Sequence, residues 1–429
     1  MPADVISDSD PPRGGESPSP ARIFLGAPAA AGADCPTAAQ DPAGEVVEPP
    51  PRTRAGWTPG SKLVVADIYT PRRAEDRGLG RGTSIKCLGI ESTAHTFGAS
   101  VVAGDGRILS DVKSTYRPPP GFGIHPREAS RHHADKAPEV VASALRLASI
   151  GVEDVDCIAY SAGPGLGPAL RVGAVVARAL AAYYSKPLVP VHHAIGHLEL
   201  GRLLTGARRP VSLLVSGGHT MILLPRRSRW RVFGETLDIT VGQLLDHLGR
   251  CMGLPSPSGP EIEELARGGS KLLELPYVIR GNDLSFSGVL TAAKRYLSSG
   301  ARKEDVAFSV QETAFAMLCE VAERALAFSG GGELMVVGGV AANYRLRTML
   351  ESVARRQGAR LEVVPPQYSG DCGAQIAWAG LLHYTHGLSV EPSSAKVVQR
   401  WRLDEVTLPW IDRSASGSSG SWPRARRRT

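Results

Sequence analysis

The sequence predicts an α/β protein of two related lobes, each a β-meander followed by helices, facing a common cleft. Three observations carry this: two sets of three short apolar runs joined by tight turns, long helical patterns after each set, and a chain of 429 residues, too long for one compact core. The first meander is read at residues 85–91, 97–103 and 107–114, with Gly104-Asp105-Gly106 turning the second run into the third. Helical patterns follow over about residues 126–150 and 169–184, with strands at 157–161 and 188–191. The second meander opens at 210–216, turns on Gly217-Gly218, and continues through 219–224 and 230–235. Helices at 241–252, 287–297 and 305–328, a strand at 333–337 and a helix at 341–357 come next. Ligands of open α/β sheets gather where loops leave the strand ends, so the glycine-rich turns are expected at the cleft.

The lobes are read as residues 83–205 and 206–412. Residues 1–82 are expected to be a disordered extension and linker, rich in Pro, Ala, Gly, Ser and acids, with one apolar run at 63–68. Residues 413–429 are expected to be a disordered basic tail. The net charge of +7 looks like a nucleic-acid signal until it is divided along the chain. The extension holds 9 basic and 11 acidic residues and the tail five Arg and no acid, so residues 83–412 keep only +4. Global charge therefore does not argue for RNA binding; local patches or a partner would have to supply it. Six cysteines stand singly without a CxxC pair, which suggests neither a disulfide framework nor a zinc ribbon, and they are expected to be reduced. No apolar run reaches about 18 residues and Met1-Pro2-Ala3-Asp4 opens no secretory pattern. The expectation is a soluble, cytoplasmic protein with no membrane partner.

The most informative segment is Val191-His192-His193-Ala194-Ile195-Gly196-His197. On an amphipathic helix, His193 and His197 would leave one face at a spacing that suits a divalent metal or a structural pair. Residue 194 is Ala, so the segment is not HExxH and the water-activating glutamate of a zinc peptidase is missing. A third ligand should be a carboxylate from a distant segment. Asp371, just before an apolar helix at 374–382, offers one, with helix N-capping as the alternative. Two His and one carboxylate leave open coordination positions, as a catalytic metal needs; iron, zinc and magnesium all remain open. The glycines of Val215-Ser216-Gly217-Gly218-His219-Thr220 would let backbone N–H groups approach a phosphate, although Gly-Gly also serves any tight hairpin. Asn343, ending Gly338-Gly339-Val340-Ala341-Ala342-Asn343, stands at a helix start where it could cap the helix or contact a nucleoside.

Taken in order, several segments resemble one family. They are Gly89-Ile90-Glu91-Ser92-Thr93-Ala94-His95-Thr96, Gly123-Ile124-His125-Pro126-Arg127-Glu128-Ala129, Ser161-Ala162-Gly163-Pro164-Gly165-Leu166-Gly167, the His193/His197 pair and Ser216-Gly217-Gly218-His219-Thr220. Leu284-Ser285-Phe286-Ser287-Gly288, Gln311-Glu312-Thr313 and the run ending at Asn343 complete the set. Together they resemble the tRNA N6-adenosine threonylcarbamoyltransferases in their archaeal and eukaryotic form, the catalytic subunit of the KEOPS complex, over residues 85–412.

The resemblance implies an actin-like, sugar-kinase-like two-lobed ATPase fold. It implies transfer of a threonylcarbamoyl group from threonylcarbamoyl-adenylate to N6 of adenosine 37 in tRNAs reading ANN codons. His193, His197 and Asp371 would hold one divalent metal per subunit, iron first, with zinc or magnesium as alternatives. Leu214, Val215, Ser216, Gly217, Gly218, Asp246, Gly259, Glu263 and Asn343 would contact an adenylate or ATP-type nucleotide in the cleft. The implied partners are tRNA, threonylcarbamoyl-adenylate and the other KEOPS subunits. These include a small protein kinase on a separate chain, since no kinase signature follows residue 390. Three positions depart from the pattern: Leu214 stands where a Tyr metal ligand is common, Ser258 replaces a Gly in Pro257-Ser258-Gly259-Pro260, and Cys372 replaces an Asn. His125, His132 and His133 surround a basic helix start and could line the acceptor side.

Other classes fit less well. A kinase of the same fold leaves the histidine pair unexplained. A metallopeptidase lacks its glutamate, and a non-catalytic RNA-binding subunit finds little support in a body charge of +4. Without the resemblance, Asp246 would read as an ordinary solvated helix residue.

Overall fold

The computed structural model describes residues 85–119 and 121–413. The extension 1–82 and the tail from residue 414 onward lie outside the described residues. Strands β1 (Lys86–Glu91), β2 (Thr96–Ala103) and β3 (Ile108–Thr115) form an antiparallel meander. Helix α1 (Pro126–Ala148), strand β4 (Cys157–Gly163), helix α2 (Gly167–Tyr183) and strand β5 (Leu188–His192) follow. Strand β4 lies parallel to β1 and β5 parallel to β4, which gives the order β3-β2-β1-β4-β5. Helix α3 (His193–Thr205) leaves β5 without a loop.

The second half repeats the plan. Strands β6 (Val211–Val215), β7 (Thr220–Arg226) and β8 (Arg229–Glu235) form the second meander. After it come helices α4 (Val241–Cys251) and α5 (Gly259–Arg267), the two-residue strands β9 (Ile279–Arg280) and β10 (Asp283–Leu284), and helices α6 (Ser287–Ser298) and α7 (Lys303–Ser329). Strand β11 (Glu333–Val337), helix α8 (Tyr344–Arg356) and strand β12 (Arg360–Val363) complete it. Read from its meander edge, the second sheet runs β8-β7-β6-β11-β12, with β11 parallel to both β6 and β12. Both sheets thus share one mixed topology, the duplication expected of an actin-like fold. Helix α5 and strands β9, β10 and β12 are additions to the expected elements.

The described residues close with helices α9 (Pro366–Ser369), α10 (Gly373–Thr385) and α11 (Trp410–Arg413). Helices α1 and α2 pack on one face of the first sheet and α10 packs on β1, β2 and β4. Every residue of β2 is therefore buried, so it reads as a continuous apolar run rather than an alternating one. Contact between β1 and α10 is backbone to backbone. A Cβ at Gly89 would lie 2.6 Å from both the Ala377 Cα and the Gly373 carbonyl oxygen. The division at 205/206 groups α10 with the second lobe, whereas the helix lies against the first sheet. An apolar pattern marks a helix as buried without naming the sheet that buries it.

Helix α3 touches β4, β5, β6, β11, β12 and α10, which places it between the sheets. Its first ten residues, His193–Arg202, are all buried, so it is covered all round rather than amphipathic. Its two charged side chains answer each other: Arg202 Nη1 donates to Glu199 Oε2 at 2.8 Å, and Trp230 Nε1 donates to Glu199 Oε1 at 3.0 Å. Among the described residues, Cys87, Cys157, Cys251, Cys319 and Cys372 are free thiols, and no helix is long and apolar enough to cross a membrane.

Candidate metal centre and adjoining glycine turn

The junction of β5 and α3 delivers both histidines to one place. His192 caps α3, its Nδ1 accepting from Ala194 N at 3.2 Å, so His193 opens the first turn and His197 follows one turn later. Their rings meet edge to face with centroids 4.7 Å apart. Asp371 enters from the loop before α10, with Oδ1 at 3.2 Å from His197 Nε2 and 3.5 Å from His193 Nε2. One ligand atom from each residue lies within 4.8 Å of the others. Cys372, not Asp371, is the N-cap residue of α10, which leaves the Asp371 carboxylate to the histidines.

Glu91, fully buried at the end of β1, completes the arrangement. It accepts from His193 Nδ1 at 2.9 Å and from Gln375 Nε2 at 3.3 Å, while its other oxygen takes Thr93 N at 2.6 Å. With Nδ1 committed to Glu91, His193 keeps Nε2 as its ligand atom, the tautomer a metal-binding imidazole needs. Burial opposes a charge on His193, but the Glu91 and Asp371 carboxylates outweigh it and push the imidazole up to about 9. Burial likewise opposes the Asp371 charge, yet His193 and the hydrogen bond from His197 hold this carboxyl far below the ordinary range. Burial holds His197 below its usual value. Two imidazoles and a carboxylate with a fixed tautomer suit a divalent metal, and the 15% exposure of the Asp371 side chain leaves the group reachable.

The Ser216-Gly217-Gly218-His219 turn between β6 and β7 borders this group. Ser216 Oγ accepts from Gly218 N at 3.2 Å and His219 N at 3.0 Å, and Ser216 N donates to His219 O at 2.8 Å. The start of α4 presses on the turn: a Cβ at Gly242 would lie 2.5 Å from the Ser216 carbonyl oxygen, and Thr240 Oγ1 donates to Gly217 O at 3.0 Å. On its other side the turn is open, with nothing within 4 Å of a Cβ position at Gly217. His219 links turn and metal group, since its ring stacks on His193 at 5.9 Å between centroids and 26° between planes. Burial and the neighbouring histidines push His219 down to about 3, which keeps it neutral.

The other expected contacts are fixed by hydrogen bonds within the protein. Asp246 Oδ1 accepts from Ser258 N at 2.7 Å, and burial raises this carboxyl. Ser258, the departure in its loop, is buried with its hydroxyl donating to Pro255 O at 2.6 Å, and Gly259 beside it opens α5. Glu263 Oε1 accepts from Tyr344 N at 3.0 Å, which ties α5 to the start of α8. Asn343 takes the capping role: Oδ1 accepts from Leu346 N at 3.1 Å, while Nδ2 donates to Gln311 Oε1 at 3.0 Å. The Leu214 and Val215 side chains are fully buried in the core, so contact with a ligand there would fall to their backbone. His133 is buried against Phe97 at 5.7 Å and pushed down to about 4 by burial, while His125 is exposed at the start of α1. Sequence reasoning gave no role to Glu91 or His219. An acid inside the apolar run of β1 was the available signal for Glu91, because a buried carboxylate demands a partner.

The fold and site define a duplicated mixed-sheet α/β protein with two histidines and an aspartate that could hold a metal ion, set beside an open glycine turn. Comparison with known proteins narrows this class. Residues 107–378 match the family model described as tRNA N6-adenosine threonylcarbamoyltransferase. The protein of that name from Caldivirga maquilingensis is 53% identical over 329 residues, covering 77% of this chain and 99% of the relative. Its counterpart from Methanopyrus kandleri is 52% identical over 338 residues, covering 76% of this chain and 97% of the relative. The chain belongs to the tRNA N6-adenosine threonylcarbamoyltransferase family. Among solved structures, HypF of T. kodakarensis shares the fold at a TM-score of 0.50 and 14% identity, over 71% of this chain and 48% of HypF.

Proposed function

We propose that this chain transfers the threonylcarbamoyl group of threonylcarbamoyl-adenylate to N6 of adenosine 37 in tRNAs reading ANN codons. The observation that carries the reading is the His193/His197/Asp371 group one ring stack away from the Gly217-Gly218 turn. A mixed anhydride of a carbamate and AMP has a phosphate and an acyl carbon one bond from a shared oxygen, and this arrangement offers adjacent places for both. The open face of Gly217-Gly218 admits the phosphate. Asp246 and Glu263 each commit one oxygen to a backbone N–H, and we assign the other oxygen of each to a ribose hydroxyl. Leu214, Val215, Ser216, Gly259 and Asn343 frame the same nucleotide, Leu214 and Val215 through their backbone.

A divalent ion held by His193, His197 and Asp371 would polarise the carbamoyl carbonyl, and iron is the ion we assign, ahead of zinc and magnesium. Glu91 holds the His193 ring in the required orientation. The exocyclic amine of adenine is a poor nucleophile, so catalysis depends on holding N6 against the face of the acyl carbonyl. A body charge of +4 supports a division of labour in which KEOPS subunits supply much of the tRNA surface. We place the working assembly in the cytoplasm. Nucleoside mass spectrometry tests the reading. Unmodified ANN-decoding tRNA incubated with the adenylate and the complex should gain threonylcarbamoyladenosine, and absence of the modified nucleoside from an assembled, metal-loaded complex would refute it.

A further inference from the structure

We propose that His219 supplies a hydrogen bond from its ring to the phosphate side of the scissile anhydride, stabilising the leaving group. The inference deepens the transferase reading and rests on it. His219 has its backbone clamped on both sides, N to Ser216 Oγ at 3.0 Å and O to Ser216 N at 2.8 Å, so the ring has a fixed origin at the edge of the glycine turn. Its face lies on His193 at 5.9 Å, which puts it between the turn and the metal group. Nδ1 is buried with no hydrogen-bond partner among the described residues. A buried ring nitrogen without a protein partner is expensive, and it is tolerated where a ligand atom satisfies it. The ligand that spans turn and metal group is the anhydride itself. In the transfer, the C–N6 bond forms and the bond from the acyl carbon to the phosphate oxygen breaks. The bonding pair leaves on AMP, and N6 releases one proton to solvent. Negative charge therefore grows on the phosphate oxygen, where an N–H at the unpartnered Nδ1 position donates without surrendering its proton.

Two variants separate the nitrogen from the ring. H219F keeps an aromatic ring to stack on His193 and removes Nδ1; H219N removes the ring and keeps a polar nitrogen near the Nδ1 position. In the assembled complex supplied with preformed threonylcarbamoyl-adenylate and tRNA, H219F should lower kcat about 100-fold. Its KM for the adenylate should stay within about threefold and its metal content should be unchanged, while H219N should recover to within about tenfold of the native rate. A native kcat in H219F overturns the proposal, as does an H219N as impaired as H219F, because either result assigns the site to packing. Metal loss from H219F also overturns it. Should the unaltered complex fail to transfer at all, the transferase reading falls first and this assignment with it, an outcome distinct from loss in the variants alone.

Discussion

Glu91 governs how His193 presents itself. It is fully buried, it holds His193 Nδ1 at 2.9 Å, and its second oxygen is fixed by Thr93 N at 2.6 Å. Glu91→Gln preserves the shape and loses the charge, so metal affinity should fall about 10- to 100-fold in a competition titration while the fold persists. An unchanged affinity would show that Glu91 serves packing alone. The buried imidazoles also set a pH response in the metal-free protein. Burial pushes His133 down to about 4 and His192 to about 3, from 6.5. Unfolding frees them to take up protons, so their contribution to stability is complete above about pH 6.5 and is lost as pH falls toward 4. His193, raised to about 9 by its carboxylates, has the opposite sign: its contribution is complete below about pH 6.5 and is lost as pH rises toward 9. The melting temperature of metal-free protein should therefore decline on both sides of about pH 6.5, and His133→Phe should flatten the acid side. An acid limb unaltered in that variant would contradict the assignment.

At the scale of elements, α3 and α10 build the site and the first sheet braces them. Helix α10 carries Asp371 to the histidines only because β1 admits its backbone at Gly89. Gly89→Ala should destabilise the protein by about 1–3 kcal/mol through overpacking. Transfer should drop with it as α10 and Asp371 shift; denaturant melts and activity assays on one preparation would measure both. A variant with native stability would mean that β1 and α10 approach less closely than described. The two meanders were legible because strand-length apolar runs alternate with Gly turns at 104–106 and 217–218, a local signal. The spacing of His193 and His197 was legible for the same reason. What the sequence did not disclose depends on distant partners. Helix α3 was expected to be amphipathic, but both sheets and α10 bury it. Helix α10 was assigned to the second lobe because chain order, not spacing, was the available guide. Asn343 offered capping or ligand contact, and only the bonds to Leu346 and Gln311 show the cap.

For the whole molecule, duplication brings the histidine–aspartate group and the glycine turn side by side. Two sheets of the same topology enclose α3, whose histidines face Asp371, and the second meander brings its glycine turn alongside. We assign to this junction the transfer of a threonylcarbamoyl group onto tRNA with a metal held by His193, His197 and Asp371. Its most direct test is transfer of radiolabelled threonylcarbamoyl from preformed adenylate to ANN-decoding tRNA by the complex, beside one carrying His193→Ala and His197→Ala. Labelled tRNA is expected with the native chain, and a loss of at least about 1,000-fold, together with the metal, in the variant. Equal labelling by both would contradict the metal-centred mechanism, and labelling by neither, with partners and metal loading verified, would contradict the transferase reading itself.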